Sequence, residues 1–141
     1  MVARRGLWEW GVAAPLPGDT TGSAILVADD DRDVRTMLRT LLELDGHDVL
    51  EAADGDVAWR IIQQQELAVV VADVQMPGMD GLQICRKVRE TRLPIKVIVY
   101  TAGMATEAEA LKAGCDRYFL KTDPLPKLRE AVRQYVSDRP N

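Results

Sequence analysis

The sequence predicts an α/β protein: a doubly wound, five-stranded parallel sheet flanked by five helices. Three observations predict it. From Ser23 onward, short runs rich in Val, Ile and Leu alternate five times with segments whose apolar residues recur at helical spacing. The runs are continuously apolar, as strands buried on both faces of a parallel sheet must be. Four of the five end on polar residues, at the edge where open α/β sheets bind their ligands.

The first run, Ala24-Ile25-Leu26-Val27-Ala28, leads into Asp29-Asp30-Asp31. Val34, Met37, Leu38, Leu41, Leu42 and Leu44 follow at helical spacing, and Asp45-Gly46 stops that helix. A short strand is expected over His47 to Glu51, and Val57, Ala58, Ile61 and Ile62 mark a second helix. The third strand begins near Leu67 and ends abruptly at Asp73, where Met76-Pro77-Gly78 must turn. Asp80 stands at the cap position of a helix from about Gly81 to Thr91, with Leu82, Cys85 and Val88 apolar. Ile95-Lys96-Val97-Ile98-Val99-Tyr100 is the fourth strand and ends at Thr101. A weak, Ala-rich helix from Thr106 to Ala113, anchored mainly by Leu111, is closed by Gly114. Arg117-Tyr118-Phe119-Leu120 is the fifth strand and ends at Lys121. Pro124 suits the first turn of a last helix whose inner face carries Leu125, Leu128, Val132 and Tyr135-Val136.

With 141 residues, 47% of them hydrophobic and 28% charged, the chain suits one domain with a real core. The net charge of −4 and scattered basic residues give no electrostatic footprint for nucleic acid. No apolar stretch reaches membrane-spanning length. His47 is the only histidine, which excludes a histidine cluster, and its place before Val49 at a strand start suggests a surface or structural role. Cys85 and Cys115 are too few and too far apart to read as a disulfide framework or metal site, and are expected as reduced core thiols. Residues 1–22 lack any sustained period. Arg4-Arg5 before Leu7-Trp8 resembles a twin-arginine signal, but Glu9 and the prolines break the apolar region such a signal needs. The expectation is a flexible extension or linker, in which Trp8 and Trp10 are the docking candidates.

In a parallel sheet Asp29, Asp30, Asp73, Thr101 and Lys121 all arrive at one edge. Two carboxylates ~4 Å apart repel by about 4 kcal/mol at an effective dielectric of about 20. Such a set therefore calls for a proton or a cation. Oxygen ligands without His or Cys favour a hard ion, and Mg²⁺ fits better than Zn²⁺. Lys121 adds a compact positive charge and Thr101 a hydroxyl donor, which together suit phosphoryl chemistry. A phosphohydrolase with an Asp nucleophile would carry a second Asp two residues on, where this chain has Gln75.

Ile25 to Asp31, Asp73-Val74-Gln75-Met76-Pro77-Gly78-Met79-Asp80-Gly81, Thr101-Ala102 and Tyr118-Phe119-Leu120-Lys121 resemble the CheY-like receiver domain of bacterial two-component response regulators. The resemblance covers about residues 23 to 137, and the domain it implies runs over 23–138. It implies a flavodoxin-like fold with strand order 2-1-3-4-5. It makes Asp73 the phospho-acceptor, taking its phosphoryl group from a sensor histidine kinase or a histidine phosphotransfer protein. Asp30, Asp73 and the backbone carbonyl of Gln75 would hold Mg²⁺, with Asp29 acting through a bound water. Lys121 and Thr101 would hold the phosphoryl oxygens, and Thr101 and Tyr118 would be the switch residues. The implied protein is cytoplasmic and is no enzyme beyond self-catalysed, Mg²⁺-dependent phosphoryl uptake and slow dephosphorylation.

Lys-Pro is common at the end of the fifth strand in this family, but Thr122 follows Lys121 here. A trans peptide is expected at that bond, since cis without proline costs about 3 kcal/mol. Lys-Thr-Asp-Pro is closer to NarL-type receivers, whose helix-turn-helix output domain has no counterpart before Asn141. A stand-alone regulator and a receiver cut from a longer chain both fit. The expected response to phosphorylation is a change on the face spanning about residues 105 to 135, which would carry the partner or a homodimer contact. The alternative is a pseudo-receiver, a constitutive interaction module with a vestigial pocket.

Overall fold

The computed structural model describes residues 24–138. Five strands and five helices alternate: β1 Ala24–Ala28, α1 Arg32–Leu44, β2 Val49–Ala52, α2 Gly55–Gln64, β3 Leu67–Ala72, α3 Gly81–Glu90, β4 Lys96–Thr101, α4 Glu107–Ala113, β5 Arg117–Leu120 and α5 Leu125–Ser137. The strands form one sheet in the order β2-β1-β3-β4-β5, every neighbouring pair parallel. This is the doubly wound, flavodoxin-like arrangement expected from the sequence. The expectations for residues 1–22, Trp8 and Trp10 included, lie outside the described residues.

Alternation along each strand sends successive side chains to opposite faces of the sheet, and helices cover both. Leu26, Val70, Val97 and Val99 pack under Ile61, Ile62, Ile84 and Val88 of α2 and α3. Ile25, Val27, Val69, Val71 and Ile98 pack under Leu38 and Leu42 of α1 and Leu128 and Val132 of α5. Each fully buried Leu or Ile of this kind contributes roughly 1.5–3 kcal/mol by leaving water.

The helix starts follow their capping chemistry. Asp31, Asp54 and Asp80 side chains accept backbone N–H bonds of α1, α2 and α3, and Gln83 completes a capping box with Asp80. Pro124 precedes α5 as its cap residue, with Pro126 inside the first turn. Leu125, Tyr135 and Val136 of the expected inner face are partly buried against the same cluster as Leu128 and Val132.

Three expectations are corrected. β2 begins at Val49 because His47 is used to close α1. Gly46, at φ +93°, donates to Glu43 O at 3.0 Å, and His47 N–H donates to Leu42 O at 3.1 Å. Leu111 does not anchor α4: it is 50% exposed, and Ala110 and Ala113, three positions apart on one face, are the buried residues. Cys85 and Cys115 are free and buried, as expected, but distance in sequence does not separate them, because α3 and the end of α4 bring them into the same core cluster.

Candidate functional site

Ala28 and Ala72 are register partners at the ends of β1 and β3, so Asp29 and Asp73 emerge side by side. Asp73 N–H donates to Ala28 O at 2.9 Å, continuing the ladder one residue past the strand. Oxygens of Asp29, Asp30 and Asp73 all lie within 4.8 Å of one another. Asp29 and Asp73 are buried, whereas Asp30 opens to solvent.

Lys121 compensates this cluster from two strands away. From the end of β5 its stem crosses β4, and Nζ reaches Asp29 Oδ2 at 2.8 Å and Asp73 Oδ2 at 2.9 Å. Burial alone would lower its pKa, but the two carboxylate bonds outweigh burial and raise it, so Lys121 stays charged. Asp29 behaves oppositely. Burial pushes its carboxyl up, by more than the bonds from Lys121 and from Asp31 N–H pull it down, and Asp73 adds repulsion. One ammonium does not neutralise three carboxylates, and the pocket keeps a strong demand for a cation.

The loop after Asp73 is fixed by two glycines. At Gly81 an added Cβ would run into the carbonyl of Asp73, so α3 starts directly on the backbone of the acidic residue. At Gly55 a Cβ would collide with the carbonyl of Met79, and Gly55 N–H donates to Pro77 O at 3.0 Å. The Met-Pro-Gly turn is thereby seated on the start of α2. Gln75 N–H donates to Asp73 Oδ1 at 3.4 Å, which turns its peptide unit toward the cluster, while its side chain stays exposed.

The other sequence candidates, Thr101 and Tyr118, place their hydroxyls on backbone partners outside the cluster. Thr101 is fully buried, and its hydroxyl accepts from Gly103 N–H at 3.4 Å. Tyr118 lies further out on β5, half-buried, and its hydroxyl donates to Ala105 O at 2.6 Å, ahead of α4. Every peptide bond in the described residues is trans, Lys121–Thr122 included. Asp123 closes the turn there: its N–H donates to Leu120 O at 2.9 Å, and its carboxylate accepts from Leu120 N–H at 2.8 Å.

Sequence reading missed Arg35. Its Nη1 donates to Asp29 O at 2.8 Å and its Nε to Glu51 at 3.3 Å, tying α1 and β2 to the acidic loop. Only its spacing of one helical turn after Asp31 hinted at this, and an exposed Arg at that spacing is ordinary. No helix among the described residues is long and apolar enough to cross a membrane.

The family model described as the response regulator receiver domain matches residues 25–133. Among curated proteins, the response regulator MprA of Mycolicibacterium vanbaalenii is 40% identical over 111 residues, which cover 77% of this chain and 48% of that protein. The chain thus spans about half the length of the curated relatives it matches. Among solved structures, the receiver domain of the Francisella response regulator 1452 has a TM-score of 0.76 at 32% identity, covering 82% of this chain and 97% of that one. The response regulator TrrA of Thermotoga maritima, in complex with Mg²⁺-BeF, has a TM-score of 0.74 at 27% identity, covering 80% and 98%. Family model, sequence relatives and fold neighbours agree over the span from β1 to α5, and the chain belongs to the receiver domains of response regulators, proteins of two-component signalling.

Proposed function

We propose that the chain is a phosphorylation-dependent switch whose acceptor is Asp73. The observation that carries this reading is the cluster itself: three carboxylates within 4.8 Å of one another, two of them bonded to Lys121 at 2.8 and 2.9 Å. A constitutive interaction module has no need of so much uncompensated charge at the mouth of its sheet. The donor set is oxygen only, which fits Mg²⁺, and the similar TrrA structure holds Mg²⁺-BeF. Asp30, Asp73 and the backbone carbonyl of Gln75 would hold the ion, with Asp29 acting through a water. Bound there, Mg²⁺ would neutralise the carboxylates and the charge of the incoming phosphoryl group.

A carboxylate oxygen of Asp73 attacks the phosphorus of a phosphohistidine, on a sensor histidine kinase or a histidine phosphotransfer protein. The O–P bond forms as the P–N bond breaks. Lys121 then exchanges its bond to Asp73 for one to a phosphoryl oxygen, and Thr101 supplies a hydroxyl donor. Drawing Thr101 inward leaves space for the ring of Tyr118, which gives up its bond to Ala105 O. That bond is worth about 1 kcal/mol net. The chain is no turnover enzyme on this reading, because the acyl phosphate is the product that carries the signal and water removes it slowly. On this reading the chain would act in the cytoplasm. The α4-β5-α5 face would carry the partner or a homodimer contact, with no direct role for nucleic acid.

Intact-mass measurement after incubation with acetyl phosphate tests the acceptor. Wild type with Mg²⁺ gains one phosphoryl group, and wild type in chelator and Asp73→Asn gain none. Equal uptake by both proteins would remove Asp73 as acceptor, and no uptake by wild type would favour the pseudo-receiver.

A further inference from the structure

Away from the acidic site, Cys85 on the second turn of α3 meets Cys115, one residue past the Gly114 cap of α4. Both are free thiols in the core cluster under α2, α3 and α4. Their surroundings hold them together. Arg89, one helical turn after Cys85, donates from Nε to Gly114 O at 2.8 Å and from Nη2 to Asp116 Oδ1 at 2.7 Å. Its guanidinium therefore bonds the residues on either side of Cys115. Asp116 also accepts from Val97 N–H at 2.8 Å, which fixes the same loop to β4. Gly114 sits at φ +109°, with the Arg89 stem where a Cβ would be.

The two thiols are not equivalent. The bond to Cys115, and then burial, push the Cys85 thiol far up, so it keeps its proton. The same bond pulls Cys115 down against burial, and Cys115 retains 5% of its surface where Cys85 has none. The residue closer to thiolate is thus also the one closer to solvent.

We propose that Cys85 and Cys115 are an oxidisable dithiol, closed to a disulfide by hydrogen peroxide, that staples α3 to the loop between α4 and β5. The Cys115 thiolate attacks the peroxide oxygen; an S–O bond forms, the O–O bond breaks, and hydroxide leaves. The Cys85 sulfur then displaces the oxygen of the sulfenic acid. The S–S bond forms, the S–O bond breaks, and the Cys85 proton leaves with the departing water. The two thiols lose two electrons and two protons, and the peroxide becomes two waters.

Stapling the end of α4 opposes the proposed change on the α4-β5-α5 face. That consequence rests on the switch reading, whereas formation of the bond does not and is read by mass alone. The full chain is treated with hydrogen peroxide, unfolded with the thiols blocked, and digested with trypsin without reductant. The expected product joins peptide 61–86 to peptide 113–117, and a thiol reductant reverses it. Cys85→Ser and Cys115→Ser both lack it. Two thiols still open to blocking after peroxide treatment, or Cys115 driven to sulfinic acid with no cross-link, would overturn the proposal. Because the wild-type cross-link identifies both partners, the result stands even where a Ser variant folds poorly.

Discussion

Lys121 is the residue on which the acidic site turns, because it spends one ammonium on two buried carboxylates. Removing it leaves Asp29 and Asp73 facing each other without a cation. Breaking a fully buried pair in this way costs about 3–5 kcal/mol, and the partial exposure of Lys121 reduces that to roughly 1–3. Lys121→Ala should therefore unfold at lower urea, with the loss largely recovered on adding Mg²⁺. Calorimetric titration should find Mg²⁺ bound at wild-type strength or more tightly, because a competing positive charge has gone. The response to phosphorylation should weaken, since the ammonium that would grip the phosphoryl oxygens is absent. Loss of Mg²⁺ binding would place Lys121 among the groups that organise the metal ligands. Asp73, Asp29 and Lys121 were legible in the sequence because strand-end polar residues in a parallel sheet have only one edge to occupy. Arg35 was not, since its bond goes to a backbone carbonyl that no side-chain pattern reports.

At the scale of elements, two contacts hold the frame around the site. α3 begins at Gly81, against the carbonyl of Asp73. Gly81→Ala forces that backbone apart, and overpacking of this kind costs about 1–3 kcal/mol. The expected outcome is a lower urea midpoint together with weakened Mg²⁺ binding, while Gly103→Ala, with open space at its Cβ but φ +112°, should lose stability and keep Mg²⁺ binding. On the opposite face, Arg129 of α5 grips Asp45 at the end of α1 through two bonds, of 2.9 and 2.7 Å. Those bonds hold the Asp45 carboxyl below its usual range. A depressed pKa means stability that is fully present above the unfolded value of about 3.9 and is lost as pH falls through the lower folded value. Urea midpoints should therefore separate wild type from Asp45→Asn at neutral pH and converge as pH drops below about 4. A constant gap across that range would exclude the ion pair as the cause. Element order and the caps at Asp80 and Gly114 could be read in advance, because each depends on local chemistry. The start of β2 and the exposure of Leu111 could not. The first depends on which carbonyls His47 finds, and the second on which side of a seven-residue helix meets the sheet.

The whole molecule joins a rigid site to a lightly held flank. β1 and β3, which carry the acidic cluster, are buried along their entire length, and their loops are pinned by Gly55, Gly81 and Arg35. α4 has only seven residues and buries only two alanines, with Leu111 and nearby Met104 in solvent. Such an element sits at the low end of local stability. The bond from Tyr118 to Ala105 O ties its approach to β5, and Thr101 links β4 to Lys121, whose N–H donates to Thr101 O at 2.7 Å. On the proposed reading, a phosphoryl group on Asp73 would draw on Lys121 and Thr101 together, and the disturbance would meet least resistance at α4. Shifting a 1:99 equilibrium to 99:1 takes ~5.5 kcal/mol, and charge-assisted bonds at roughly twice the neutral strength supply part of it. Amide NMR shifts with and without beryllium fluoride and Mg²⁺ measure the path. Large changes are expected around Asp29, Asp73 and Lys121, and also through Ala105, α4 and Tyr118, while α1 and α2 beyond their first turns stay still. Tyr118→Phe should alter the α4 shifts before any fluoride is added, because the tie to Ala105 is already cut. Changes confined to the loops around the acidic cluster would mean that this flank does not carry the signal.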